Sequence, residues 1–98
     1  MIEANYQVAI LRVNLHIPDS GSLKTKRQVV KSLKERIRGK FNVSVAEIDG
    51  LDKWQVATLA FAAVGNDHKH LEQTMQHVLS FVEGNHQSEL CEHHLEFI

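Results

Sequence analysis

The stretch Phe41-Asn42-Val43-Ser44-Val45-Ala46-Glu47-Ile48-Asp49-Gly50, followed after three residues by Trp54-Gln55-Val56-Ala57-Thr58-Leu59-Ala60-Phe61-Ala62-Ala63-Val64, decides the fold. Phe41, Val43 and Val45 alternate with Asn42 and Ser44. Beyond Asp49-Gly50, Gln55, Ala57, Leu59, Phe61 and Ala63 fall on one face, and Trp54, Val56, Thr58, Ala60 and Ala62 on the other. A period of two is the mark of a pleated strand, and Asp-Gly between two such runs is a strong hairpin signal. The centre of the chain is therefore expected to be an antiparallel hairpin, with its second strand running from about Lys53 to Val64.

On both sides of this hairpin the period changes to that of a helix. Before it, Leu23, Val30, Leu33 and Ile37 recur at spacings of seven, three and four, with Val29 at the border of the stripe. Ser22 stands where an N-cap belongs and Gly39 where a C′ residue would end the helix. After the hairpin, Gly65-Asn66-Asp67 reads as a turn ending in an N-cap. Leu71, Thr74, Met75, Val78 and Val82 then describe a second amphipathic helix that Gly84 ends. Two outer strands complete the pattern. In the first, Ala9, Leu11, Val13, Leu15 and Ile17 alternate with Arg12, Asn14 and His16 up to the turn Pro18-Asp19-Ser20-Gly21. In the last, from Leu90 to Ile98, Cys91, His93, Leu95 and Phe97 alternate with Glu92, His94 and Glu96.

The order βαββαβ, with right-handed crossovers, makes an α+β, ferredoxin-like split β-α-β sandwich: an antiparallel four-stranded sheet in the order 4-1-3-2 with both helices on one face. Arg12 could then pair with Glu92 or Glu96 on the open face. At 98 residues, with 43% hydrophobic and 23% charged content, the whole chain (1–98) fits one globular domain around one core. No apolar run approaches the roughly 20 residues of a membrane span, and Met1-Ile2-Glu3-Ala4-Asn5 lacks the basic-then-apolar layout of a signal peptide. With a single cysteine, these features lead to a cytoplasmic expectation.

Charge is the functional signal. Eight of the eleven Lys and Arg residues lie between Lys24 and Lys40 beside one acid, Glu35, a formal +7, while the rest of the chain carries −8. Lys24, Arg27, Lys31, Lys34 and Arg38 share one side of the first helix, in a sector about 80° wide and roughly 21 Å long. Lys26, Arg36 and Lys40 fall outside that line. Such a stripe fits the phosphates of a nucleic acid, although a Lys/Arg-rich helix is also an ordinary solvated surface. Ser22 and the glycine turn before it, at the positive end of the helix dipole, form a second candidate anion contact, against the plainer reading of a capped turn.

Other chemistry finds little footing. The chain holds no GxxxxGK[ST], GxSxG or GxGxxG element, and its Ile17–Ser22 loop does not match the GxVQGVxFR-type signature of acylphosphatases of this topology. The third strand lacks the exposed aromatic pair with which an RRM stacks bases. The histidines do not form a metal set: strand alternation sends His93 and His94 to opposite faces, and His70 and His77 are two helical turns apart. Cys91 is expected to be a small core residue. No metal, cofactor or catalytic residue is expected. The open sheet face, with Val8, Ile10, Trp54, Val56, Ala60 and Ala62, is more apolar than a solvated face requires, so homodimerisation through it or through the second strand's edge is a further expectation.

Four stretches carry a resemblance along nearly the whole chain: Leu11-Arg12-Val13-Asn14-Leu15-His16-Ile17-Pro18, Ser22 to Leu33, Phe41 to Glu47, and Val64-Gly65-Asn66-Asp67. Through them the chain resembles the YlxP-like family of small bacterial proteins. The resemblance implies a ferredoxin-like cytosolic protein from a family often encoded beside translation initiation and ribosome-maturation factors, and it implies no established activity. The histidine-rich Cys91-Glu92-His93-His94 departs from it. Charge and resemblance together lead to a non-enzymatic accessory protein that meets ribosomal RNA, or an assembling ribosomal particle, through the basic helix. The alternative is a dimeric structural or regulatory module that binds a protein or a small anion.

Overall fold

The computed structural model describes residues 4–98; Met1, Ile2 and Glu3, part of the stretch read above for a signal peptide, lie outside the described residues. The elements are β1 (Gln7–His16), α1 (Leu23–Lys40), β2 (Ser44–Asp49), β3 (Val56–Gly65), α2 (His68–Glu83) and β4 (Glu89–Phe97). All strand pairs are antiparallel and the sheet order is β2-β3-β1-β4, the 4-1-3-2 order of the ferredoxin-like sandwich. α1 packs against β2 and α2, and α2 against β1, β3 and β4.

The alternation in β1 and β3 holds to the residue. Ala9, Leu11, Val13 and Leu15 stand opposite Ala63, Phe61, Leu59 and Ala57, and all eight are buried against the helices. The helices contribute Val29, Val30, Leu33 and Ile37 from α1 and Leu71, Met75, Val78, Leu79 and Val82 from α2. Burying a side chain of this kind contributes about 1.5–3 kcal/mol, so this one layer of contacts dominates the cohesion of the fold.

Three features differ from the sequence expectation. α1 continues through Gly39 to Lys40. Its last turn is closed by the Phe41 N–H on the Ile37 carbonyl (2.8 Å) with Phe41 in extended backbone, and Gly39 does not take the left-handed conformation of a C′ residue. Phe41 therefore belongs to the helix exit rather than to β2, and its ring meets Phe81 of α2 edge-on at 6.0 Å. β3 begins at Val56, not Lys53. Gly50, at φ +77°, starts a loop in which the Lys53 N–H returns to the Gly50 carbonyl (3.0 Å), and Trp54 lies in that loop, 56% exposed, off the sheet face assigned to it.

The third difference is a register shift on each side of the central pair. Asn14 faces Glu92 and Leu15 faces Leu90, which leaves Cys91 as the extra residue of a bulge in β4; Ile48 has the same position in β2, between Glu47 opposite Leu59 and Asp49 opposite Thr58. A bulge inserts one residue and resets the alternation beyond it. Cys91 is consequently exposed and is not the core residue that uninterrupted alternation would make it, while Leu90, Leu95 and Phe97 pack at the border of the core. Arg12 stands directly opposite His94, and the ion pairs among the described residues include neither Arg12–Glu92 nor Arg12–Glu96.

Candidate nucleic-acid interface

α1 starts at a cap built by Ser22. Its backbone is extended, its hydroxyl accepts from the Thr25 N–H (3.1 Å), and its carbonyl accepts from the Lys26 N–H (3.1 Å). The preceding turn is tied down as well: Ser20, almost fully buried, donates from its hydroxyl to the Ser22 carbonyl (2.9 Å), and the Gln55 amide donates to the carbonyl of Ser20 (3.2 Å). The side-chain oxygen of Ser22 thus already serves the helix's own backbone, the plainer of the two readings of this position.

The eight cations of α1 separate into two groups. Lys26 is the residue that sequence reasoning missed. It sits with no exposure in the apolar stripe, where its ammonium donates to Glu47 Oε2 (2.5 Å) and to the Gly50 carbonyl (2.7 Å). Arg36 donates to the carbonyl of Ser32 and to Asn85 Oδ1, and its guanidinium lies 5.7 Å from the Phe81 ring centre. Lys40 holds its ammonium over the rings of Phe81 (5.2 Å) and Phe41 (5.9 Å). All three contact other parts of the protein, Lys26 from the interior and Arg36 and Lys40 from the surface, and they stitch α1 to β2 and to α2.

The other five form the line seen in projection. Lys24, Arg27, Lys31 and Arg38 are exposed and Lys34 is half-buried. Arg38 donates to the Val45 carbonyl (3.2 Å), which sets this flank of α1 over the edge strand β2 and ties up one backbone acceptor of that edge. Lys31 lies 4.0 Å from Glu35, with both side chains more than half exposed, a pairing that is worth little in water. Among the described residues Lys24, Arg27 and Lys34 make no ion pair. The line is therefore a row of mostly exposed cations on a helix whose apolar stripe, beside the row, is locked into the core.

The open sheet face has the other charge. Glu92 and Glu96 stand opposite Asn14 and Ile10 on the side away from the helices, and Glu89 stands opposite His16, whose ring nitrogen is 3.5 Å from its carboxylate. An open depression of about 410 Å³ on this face is lined by Arg12, Asn14, Ile48, Asp49, Thr58 and Glu92, with the Thr58 hydroxyl donating to Asn14 Oδ1 (3.0 Å). An acidic row along β4 repels phosphate, so the two sides of the sandwich suit opposite partners.

A family model described as a protein of unknown function, DUF503, matches residues 8–95. An uncharacterized protein, YlxP, of Bacillus subtilis (strain 168) is 43% identical over 67 residues, which is 68% of this chain and 73% of that protein. Among solved structures, the de novo designed protein Foldit4 superposes with a TM-score of 0.56 at 14% identity, covering 96% of this chain and 97% of the designed one, a likeness of fold alone.

Proposed function

The chain belongs to the DUF503 family, proteins of unknown function, and from that premise we propose that it is a non-enzymatic cytosolic accessory factor that holds RNA, ribosomal RNA or an assembling ribosomal particle, against the exposed side of α1. One observation carries this reading. The cations that fall outside the helical line have structural tasks, whereas Lys24, Arg27 and Lys31 are exposed and half-buried Lys34 makes no ion pair among the described residues. A row of fixed cations gains affinity for phosphate by releasing counterions, and it makes no demand on base sequence. Cosedimentation with ribosomal subunits at low and high salt tests it. Association that falls steeply with salt, and that is lost when Lys24, Arg27, Lys31, Lys34 and Arg38 are all replaced by glutamine, is the expected result; association indifferent to both removes the reading.

A second reading is favoured by the other end of the sheet. Val8 faces Val64 across β1 and β3, and it exchanges both backbone hydrogen bonds with Ile98 (3.2 and 2.8 Å). Val64 and Ile98 are about 70% exposed, and half-buried Ile10 and Ala62 continue the patch along the open face. A second copy of the chain is a partner that suits such an apolar patch. Sedimentation equilibrium of the native protein and of a Val64→Lys variant tests this: a native dimer made monomeric by the substitution supports it, and a strictly monomeric native mass at high concentration sinks it.

A further inference from the structure

The sheet ends on one side at β4, which pairs with β1 alone. Val8 and Ile98 exchange both backbone hydrogen bonds (3.2 and 2.8 Å), and this sets the phase of the antiparallel ladder: Glu96 opposite Ile10 and His94 opposite Arg12 turn their N–H and C=O groups toward β1. His93, Leu95 and Phe97 therefore turn theirs outward, and among the described residues no backbone hydrogen bond reaches them. The three outward residues repeat about every 6.8 Å, the spacing that a further strand would match. The bulge at Cys91 lies outside this stretch, which keeps one register from Glu92 to Phe97. Open edges are commonly blunted by Lys, Pro or a covering contact. Glu89–Phe97 holds no Lys, Arg or Pro, whereas the other edge, β2, has its Val45 carbonyl taken by Arg38 (3.2 Å).

We propose that an extended segment of a basic partner protein adds to β4 as a further strand, with its cations against Glu92 and Glu96 and its alternate apolar residues against Leu95 and Phe97. In strand addition the backbone supplies the pairing, and the flanking side chains select the occupant. On the open face Glu92 and Glu96 are exposed and enter no ion pair among the described residues. On the helix side Leu95 and Phe97 are half-buried at the border of the core. A strand that alternates Lys or Arg with apolar residues meets both rows at once, because residues directly across two strands interact and opposite charges there are favourable. A second copy of β4 suits the edge less well. It would bring Glu89, Glu92 and Glu96 of both copies to one seam, with no Lys or Arg in either strand. α1 packs over β2, at the other end of the sheet order, so this surface is separate from the cationic row and stands without the RNA reading.

The probe is a fluorophore-labelled peptide of about eight residues alternating Lys and Val, an ordinary strand length. Beside it stands a peptide of the same composition with its lysines in one block and its valines in another, and fluorescence anisotropy reads both. The alternating peptide is expected to bind the native protein at least about 10-fold more tightly, since the block peptide cannot serve the two faces together. His93→Pro removes one outward donor and leaves the ladder to β1 in place, so it is expected to keep the native circular dichroism and to weaken the alternating peptide by about 10-fold. Glu92→Gln/Glu96→Gln touches no backbone group and tests the proposal even if the proline variant misfolds. It is expected to weaken the alternating peptide by about 3- to 10-fold and to flatten its salt dependence. Equal binding of the two peptides, or an affinity that neither variant moves, overturns the proposal. So does a native protein that ignores the alternating peptide but self-associates until His93→Pro abolishes it, which would assign the edge to a second copy.

Discussion

The Lys26 ammonium donates to Glu47 Oε2 across the interface between α1 and β2, from a side chain with no exposure to one that is 12% exposed. Lys26 also binds the carbonyl of Gly50, so a single side chain fixes the helix, the edge strand and the loop that carries Trp54. Taking two charges out of water is costly, and their attraction repays that only when the remaining donors and acceptors are satisfied; among the described residues no buried side-chain polar atom is without a partner.

Removing one member of this pair leaves the other buried and uncompensated. Lys26→Met is therefore expected to destabilise the protein by about 3–5 kcal/mol. The double variant Lys26→Met/Glu47→Leu removes both charges and is expected to recover much of the loss. Urea denaturation reads both midpoints. A single variant as stable as the native chain would show that the pair contributes nothing.

The side-chain oxygen of Ser22 accepts from the Thr25 N–H, which assigns it to the cap. Ser22→Ala is expected to cost about 1 kcal/mol and Ser22→Gly only a few tenths, because glycine is itself a fair N-cap. RNA affinity measured by filter binding is expected to change in neither variant. A loss of affinity in both, at retained stability, would return Ser22 to the anion-contacting set.

The bulge opposite Asn14 and Leu15 puts the Cys91 thiol in solvent, where it is expected to react with a disulfide reagent as fast in the native protein as in urea, apart from the intrinsic effect of the denaturant. Cys91→Ser is expected to change stability by less than about 0.5 kcal/mol, as for surface substitutions in general. Strong protection of the thiol in the native state would show that β4 runs without the bulge.

Most of the fold was legible because β1 and β3 have helices on one side only. Leu11 and Phe61 must be apolar and Arg12 need not be, so the period shows in the letters. The bulge at Cys91 left no such mark, because on a nine-residue edge strand with mostly exposed side chains a one-residue slip moves little apolar area. Gly39 carried a false stop. A glycine permits a left-handed turn without demanding one, and the aromatic exit at Phe41, seated on Phe81, draws the helix past it. Lys26 could have been found. Leu23, Lys26, Val30, Leu33 and Ile37 run at three, four, three and four, so the gap of seven in the apolar stripe is filled by a lysine that must be buried and paired. Its partner, Glu47, stands on the helix-facing side of β2 opposite Leu59, where a charge is otherwise out of place. The cationic row, without Lys26, Arg36 and Lys40, followed from helical geometry alone, but the tasks of Arg36 and Lys40 and the narrowing of the row at Arg38 needed the positions of Phe81, Asn85 and Val45, which come from elsewhere in the chain.

That narrowing separates two variants of equal charge on one helix. Arg36→Gln/Lys40→Gln removes two cations that lie over Phe81 and Phe41, and Arg27→Gln/Lys31→Gln removes two that face solvent on the other side of α1. If overall charge governed RNA binding, both pairs would weaken it alike, since each lowers the charge of α1 by two. If phosphates lie along the row, the second pair alone should flatten the salt dependence, with the slope of log K against log salt falling by about 1.4 for two lost contacts to a single strand. The first pair should instead appear in stability, at about 0.5–1 kcal/mol for each cation–π contact at partly exposed rings, with the slope unchanged. Affinity measured across a salt series and urea midpoints on the native protein and the two variants decide between them. Equal slopes for the two variants would move the interface off the row and return it to the helix as a whole.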